Sequence, residues 1–290
     1  MRLTRGEKWF NLINYVLLSV AALTCLLPLV NILAVSLSSN EAILSGKVFL
    51  LPIEMNVQAY AILFKGTPVL NAFQNSLILT VSGTVVAMLL TFLAAYPLSR
   101  QDFYSRKFFT LAIVFTMIFS SGVIPQYLLV KSLGLINSYW AIWLPAAISA
   151  YNMLIMKNYF ENLPVELEEA ARIDGASEPR FIGKIVLPLS LPMLATLSLF
   201  YGVAMWNNFM SVLIYINDAD KLNLSVLVQQ MVRSQSLAQD FALRPEDIAQ
   251  STPEGVKSAG VMVMIIPLLL VYPFIQKYFV KGAMIGAIKG

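Results

Sequence analysis

The stretch EEAARIDGASEPRFIGKIVLP, Glu168 to Pro188, sets Glu168, Glu169, Arg172, Asp174, Glu178, Arg180 and Lys184 between two long apolar runs. Charge at that density is costly inside a bilayer, so the segment belongs in water between two membrane crossings. It also carries helix punctuation. Pro164 suits a first helical turn, where its missing N–H is an orphan in any case. Glu166, Glu168 and Glu169 follow, where the helix dipole favours anions. Val165, Leu167, Ala170, Ala171 and Ile173 supply an apolar side. Gly175 fits the left-handed position that ends helices. Ser177 can cap a second helix running through Arg180 to Val186, with Pro179 early in it. Pro188 marks the start of the next apolar run. The segment therefore reads as two short helices with a sharp bend between them. The first, Pro164 to Asp174, is about 16 Å long at 1.5 Å per residue.

The rest of the chain is mostly apolar. Of its 290 residues 58% are hydrophobic and 12% charged, with a mean hydropathy of +0.72. Soluble domains carry roughly 45–50% apolar and about 25% charged residues, so the solvent of this chain is a bilayer. A hydrocarbon core of about 30 Å takes about 20 apolar residues in a helix. Six such spans are expected: 10–37, 71–97, 108–130, 138–160, 189–216 and 258–280. The apolar run from Leu12 to Leu37 exceeds the roughly 7–15 residues of a signal peptide's hydrophobic core, and reads as a retained first span.

Positive charge orients the spans. With the N-terminus inside, 13 lysines and arginines fall in inside segments and 7 in outside segments. That bias puts both termini, and the Glu168–Pro188 stretch, in the cytoplasm. The formal net charge of +4 is accounted for by this bias and does not point to nucleic acid. Two outside segments are long, Ser38–Leu70 and Asn217–Lys257. The second, with Asp218, Asp220, Lys221, Arg233, Asp240, Arg244, Glu246 and Asp247, is either a solvated linker or a docking surface for an external partner.

Several chemistries are absent from the sequence. There is no histidine and one cysteine, Cys25. Ser-His and Cys-His catalysis, histidine metal sites and an intramolecular disulfide are excluded within the chain. The span interiors hold no Asp, Glu, Lys or Arg; the few such residues, Lys131, Lys157 and Lys277, lie at span ends. A proton-coupled carrier keeps titratable groups at mid-membrane, so energy for uphill transport would enter from outside the bilayer. No G-x4-GK[ST] phosphate loop is present, so another chain must bind ATP if ATP is used. The spans do contain neutral polar and aromatic groups: Asn75 and Ser76, Tyr151 and Asn152, and Trp206, Asn207 and Asn208. Rings that pack on C–H faces beside amides that bond hydroxyls suit a sugar. Interhelical hydrogen bonding or interfacial anchoring accounts for the same residues.

The alanines give the first cytoplasmic helix a thin side for close approach, and its glutamates could pair with arginine on a partner. A helix lying on the lipid surface would instead carry large apolar residues and lysines. Glu169-Ala170-Ala171, three residues, Gly175, nine residues, Ile185, one residue, Leu187-Pro188 meets every fixed position of the pattern EAA-x3-G-x9-I-x-LP. On those residues the chain resembles the permease subunits of binding-protein-dependent ABC importers. "NSLILT", "IPQYLLVKSLGLINSYWAIWLP", "ELEEAARIDGAS", "WNNF" and "GAMIGAIKG" resemble the carbohydrate branch, the smaller maltose-type permease in particular. The long second outside loop resembles a subgroup that handles complex saccharides, acidic ones such as alginate included.

That resemblance implies an all-α membrane fold of six transmembrane helices, the type I importer permease, as a single domain over residues 1–290. It implies a cytoplasmic coupling loop at 161–188 that seats Glu168, Glu169, Ala170, Ala171, Asp174, Gly175, Ile185, Leu187 and Pro188 against an ATPase, Glu169 meeting a basic residue there. It implies an extracytoplasmic loop at 217–257 reaching a solute-binding protein, and a cytoplasmic tail at 282–290 reaching the ATPase interface. The implied partners are a second homologous permease forming a heterodimer, an ATPase dimer that binds ATP and magnesium, the binding protein and membrane lipid. The implied location is the cytoplasmic (inner) membrane of a bacterium. No cofactor, metal or catalytic residue is expected in this chain. Asn75, Tyr151, Asn152, Trp206 and Asn208 are the candidates for a sugar cavity. A permease for another solute, such as a peptide or polyamine, and a stand-alone secondary carrier are the alternatives.

Overall fold

The structure, a computed structural model, describes residues 4–119, 121–234, 237–241 and 251–287. Every regular element among them is helical. Three helices are long and apolar enough to cross a bilayer, over Gly6–Ser36, Val69–Ser99 and Pro253–Pro273. The chain forms two compact units, Met1–Leu70 with Leu227–Ile266, and Asn71–Val226 with Pro267–Gly290.

The first unit starts from α1 (Arg5–Ser36). Thr4 opens it with a capping box: its Oγ1 accepts from Glu7 N at 3.3 Å, and its own N–H donates to Glu7 Oε2 at 2.7 Å. Two orphan donors of the first turn are thereby satisfied. The helix has 32 residues, about 48 Å at 1.5 Å per residue, longer than the bilayer core. Beyond it, the segment 38–70 carries α2 (Asn40–Leu44) and α3 (Gln58–Gly66) and is bonded back to the end of α1. Asn31 donates to Phe49 O at 2.7 Å, Asn56 N–H to Leu37 O at 2.8 Å, and Ser36 Oγ meets Tyr60 Oη at 2.9 Å.

The second unit is organised by α4 (Val69–Ser99). Leu79, Gly83, Ala87, Thr91 and Ala95, every fourth residue, are buried. Small residues at that spacing let helices approach closely where lipid offers no hydrophobic drive. At Gly83 the approach is limiting: a Cβ there would stand 2.8 Å from Trp143 Cδ1. Trp143 Nε1 donates to the Leu79 carbonyl at 3.1 Å one turn earlier. Deeper along α4, Thr91 Oγ1 meets Tyr201 Oη at 2.7 Å, and that hydroxyl accepts from Ser149 N–H at 2.9 Å.

The remaining expected spans are broken. The third is α5 (Arg106–Ile118) and α6 (Val123–Ser132), with Gly122 at φ +77° capping α6. The fourth, expected as one helix over 138–160, is α7 (Trp140–Trp143), a non-helical stretch and α8 (Ala150–Glu161). Pro145 has no N–H to continue α7, and Ser149 Oγ caps α8 by accepting from Asn152 N–H. The fifth is divided too. A charged section, α9 (Val165–Ile173), α10 (Glu178–Phe181) and α11 (Leu187–Leu189), leads into α12 (Leu191–Trp206), and the helix axis turns by 76° at Ser190. After Asn207–Phe209 the chain resumes as α13 (Met210–Tyr215). The segment that follows forms α14 (Leu224–Arg233) and α15 (Leu237–Asp240), and α16 (Pro253–Ala287) contains the last helix long and apolar enough to cross. Arg244, Glu246 and Asp247 of the 217–257 loop, and residues 288–290 of the tail, lie outside the described residues.

Candidate functional site

Residues 161–190 form an elbow. α9 starts after Pro164 and ends at Gly175, whose φ is +69°. The Gly175 N–H donates to Arg172 O at 3.1 Å and the Ala176 N–H to Ala171 O at 2.9 Å, closing the helix end in a left-handed turn. Ser177 occupies the cap position of α10 but makes no side-chain cap bond. The expected second helix differs in kind as well. Ile182–Val186 is a π-helical turn between α10 and α11. Phe181 and Val186, five residues apart, are both buried. In an α-helix, at 100° per residue, they would face about 140° apart. The wider i→i+5 turn brings them to one side, where they join Tyr96, Met153, Met156, Phe160, Ala171 and Leu197 in one core.

α9 divides along its length into two faces. Leu167 and Glu168 are half-buried and Ala171 is 6% exposed. Val165, Glu166, Glu169, Ala170 and Ile173 face solvent, Ile173 at 86%. The spacings 165/169/173 and 166/170 put these on one stripe. Thus the two adjacent glutamates have different surroundings. Glu169 is exposed. Glu168 accepts from Arg100 in an ion pair, and from Arg172 Nη2 at 2.7 Å. Arg100 ends α4: its Nη2 donates to Tyr96 Oη at 2.7 Å, and its guanidinium carbon stands 4.4 Å from the Tyr96 ring centroid. Tyr96 in turn donates its hydroxyl to Glu178 on α10. Nearby, Glu161 at the end of α8 accepts from Arg106 at 2.5 Å and Lys157 at 2.7 Å. A pocket of about 280 Å³, lined by Ser99, Arg100, Phe160, Glu168, Arg172 and Phe181 among others, lies between these helix ends.

Of the other motif residues, Ile185 is half-buried against the core, and Asp174, Leu187 and Pro188 are exposed. Sequence reasoning missed Arg100 and Tyr96. Their place at the last turn of an apolar span was the available signal, since an arginine there must either reach water or find a partner.

The cavity candidates gather differently. Asn75 Nδ2 donates to Asp220 O at 2.7 Å and Leu222 O at 2.9 Å. Trp206 O accepts from Ser225 Oγ at 2.8 Å, and Asn208 O from Asn223 Nδ2 at 2.8 Å. Neighbouring Ser76 Oγ accepts from Leu224 N–H at 2.8 Å. These residues clamp the segment Asp220–Ser225 that feeds α14, and Trp206 meets Phe73 edge-on. Tyr151 and Asn152 sit elsewhere, on the first turn of α8: Asn152 is buried and Tyr151 is 58% exposed. No group of three or more metal-ligating side chains occurs among the described residues.

A membrane chain that is helical throughout its regular described elements, and whose elbow carries the EAA pattern, defines a transport permease. Residues 1–284 match the family described as binding-protein-dependent transport system inner membrane component, and the chain belongs to that family. It is 44% identical over 284 residues to the polygalacturonan/rhamnogalacturonan transport system permease protein YtcP of Bacillus subtilis (strain 168), covering 98% of this chain and 99% of that one. It is 39% identical to Protein LplC of the same organism, over 100% of this chain and 98% of that one. Its fold matches a chain in the crystal structure of a bacterial ABC transporter involved in the import of the acidic polysaccharide alginate, with TM-score 0.89 and 32% identity over 96% of this chain and 99% of that chain.

Proposed function

We propose that this chain is one of two permeases in an ABC importer for acidic oligosaccharides, and that the exposed face of α9 couples it to an ATPase. The observation that carries the coupling is the division of α9. Ala171 is buried in the transmembrane core while Glu169, Ala170 and Ile173 are exposed on the opposite side. A helix so placed offers a partner a narrow surface with one carboxylate, and passes any push directly to the helices behind it. The ATPase pair binds ATP and magnesium. The sequence of this chain carries no phosphate loop, which supports assigning ATP binding to that pair.

The substrate class is supported by the relatives. One is named for polygalacturonan and rhamnogalacturonan, and a structural neighbour for alginate; all three polymers carry carboxylated sugars. The surplus of inside lysine and arginine supports both termini in the cytoplasm of a cell with this permease in its inner membrane. The segment Asn217–Lys257 would then face an external binding protein, and Gly282–Gly290 the ATPase side. Tyr151, exposed, is the group we assign to stack on a sugar ring. Asn152 shares its turn of α8, whereas Asn75, Trp206 and Asn208, which hold the segment Asp220–Ser225, would act on the sugar path only through that segment.

Uptake of labelled oligogalacturonate by cells carrying the intact importer tests both parts. Uptake should require this chain and be lost in Glu169→Lys together with ATPase retention on the purified permease. Normal uptake by Glu169→Lys would sink the coupling role. Uptake of peptide or polyamine in place of oligogalacturonate would sink the substrate class.

A further inference from the structure

The elbow has two arms, α9 and α10, joined by Gly175, and a left-handed glycine turn is where such a joint would fold. Among the described residues, the backbone hydrogen bonds of 174–177 stay within the elbow and reach no membrane span. Two side chains at the end of α4, one in its last turn and one just beyond it, do reach the arms. Arg100 bonds Glu168 on the first arm, and Tyr96, four residues earlier, bonds Glu178 on the second. Arg100 also donates to the Tyr96 hydroxyl, so the two ties share one hub. Phe181 completes it, its ring 5.4 Å from the Arg100 guanidinium. The hub is partly sheltered, with Arg100 at 24% and Glu168 at 22% side-chain exposure. Water and salt therefore screen these charges less than at an open surface.

We infer that Arg100 is a positioning residue for energy coupling. It locks both arms of the elbow to the end of α4, so that movement of α9 is delivered to a transmembrane helix and is not absorbed at Gly175. This inference rests on the coupling role of α9 but assigns a different step. Glu169 concerns whether the ATPase is held; Arg100 concerns whether a held ATPase moves the span. Arg100 faces away from the exposed stripe of α9 and needs no contact with the ATPase to act.

The test uses the assembled importer in nanodiscs with Cys25→Ser, which removes the one native cysteine. Spin labels go on Ile173→Cys of α9 and Leu89→Cys of α4, both exposed positions. Their separation is read by pulsed electron resonance before and after trapping with ATP and vanadate. With Arg100 present, the distance distribution should keep its position and width on trapping, because arm and span move as one body. In Arg100→Gln the distribution should shift or broaden on trapping. Glu168→Gln should do the same, and it serves if Arg100→Gln does not assemble. A native-like, unchanged distribution in these variants, with ATPase bound, would overturn the inference. So would a shift on trapping in the protein that retains Arg100. Loss of ATPase in Glu169→Lys is scored separately, so failure of docking and failure of anchoring are told apart.

Discussion

Arg100 and Glu168 stand 68 residues apart in the sequence and form the ion pair that ties the end of α4 to α9. The elbow therefore carries two adjacent glutamates in opposite surroundings, Glu168 paired on the inward side and Glu169, which opens the motif, exposed.

Breaking that pair from one side leaves the other charge in a partly sheltered place. Glu168→Leu should destabilise the purified permease by about 1–2 kcal/mol, between an exposed pair and a fully buried one. The double variant Arg100→Leu/Glu168→Leu should recover part of the loss. Thermal unfolding in detergent, followed by the fluorescence of a thiol- or apolar-sensitive dye, measures both.

Gly175 and Gly183 form an internal control. A Cβ built at either position meets nothing within 4 Å, but only Gly175 has a left-handed φ. Gly175→Ala should cost about 1–2 kcal/mol from backbone strain alone and slow uptake, whereas Gly183→Ala should leave uptake unchanged. Initial uptake rates at matched expression decide it.

Gly83 is different again, because the space itself is filled. Gly83→Ala pushes a methyl group against Trp143, and overpacking of this kind costs about 1–3 kcal/mol. Trp143→Leu in the same chain should relieve the clash. A double variant no more stable than Gly83→Ala alone would show that Trp143 is not what limits the approach.

Asn75 holds two carbonyls of the segment leading to α14. Asn75→Ala should cost about 1–3 kcal/mol, the net value of two hydrogen bonds. It should also raise protease sensitivity between Asn217 and Lys257. Asn75→Asp should be worse, since its carboxylate faces the same two acceptors. Limited proteolysis of inverted and right-side-out vesicles reads the effect and the side of the membrane together.

The elbow was legible in the sequence because its signals are local. Pro164, the first-turn glutamates and Gly175 each act within a turn of themselves, and α9 ends where Gly175 says it should. The π turn at Ile182–Val186 was not, because it answers to the tertiary demand that Phe181 and Val186 share one core. The uniform apolarity of 138–160 masked a break that Pro145 and Ser149 impose. Asn75 read equally well as a sugar ligand or as a bracket, since an amide's partner is set by what folds against it. Arg100 carried too little local pattern to be noticed: its meaning comes from a residue 68 positions away.

If the exposed stripe of α9 is the surface an ATPase grips, that contact can be captured covalently. A photo-crosslinking amino acid is placed singly at Ala170, Ile173 or Leu167, in the importer assembled in native membranes. A permease–ATPase adduct should form from Ala170 and Ile173, and none from Leu167 on the inward side. An intact complex that yields no adduct from the exposed stripe, or equal adducts from Leu167, would contradict the coupling role of α9.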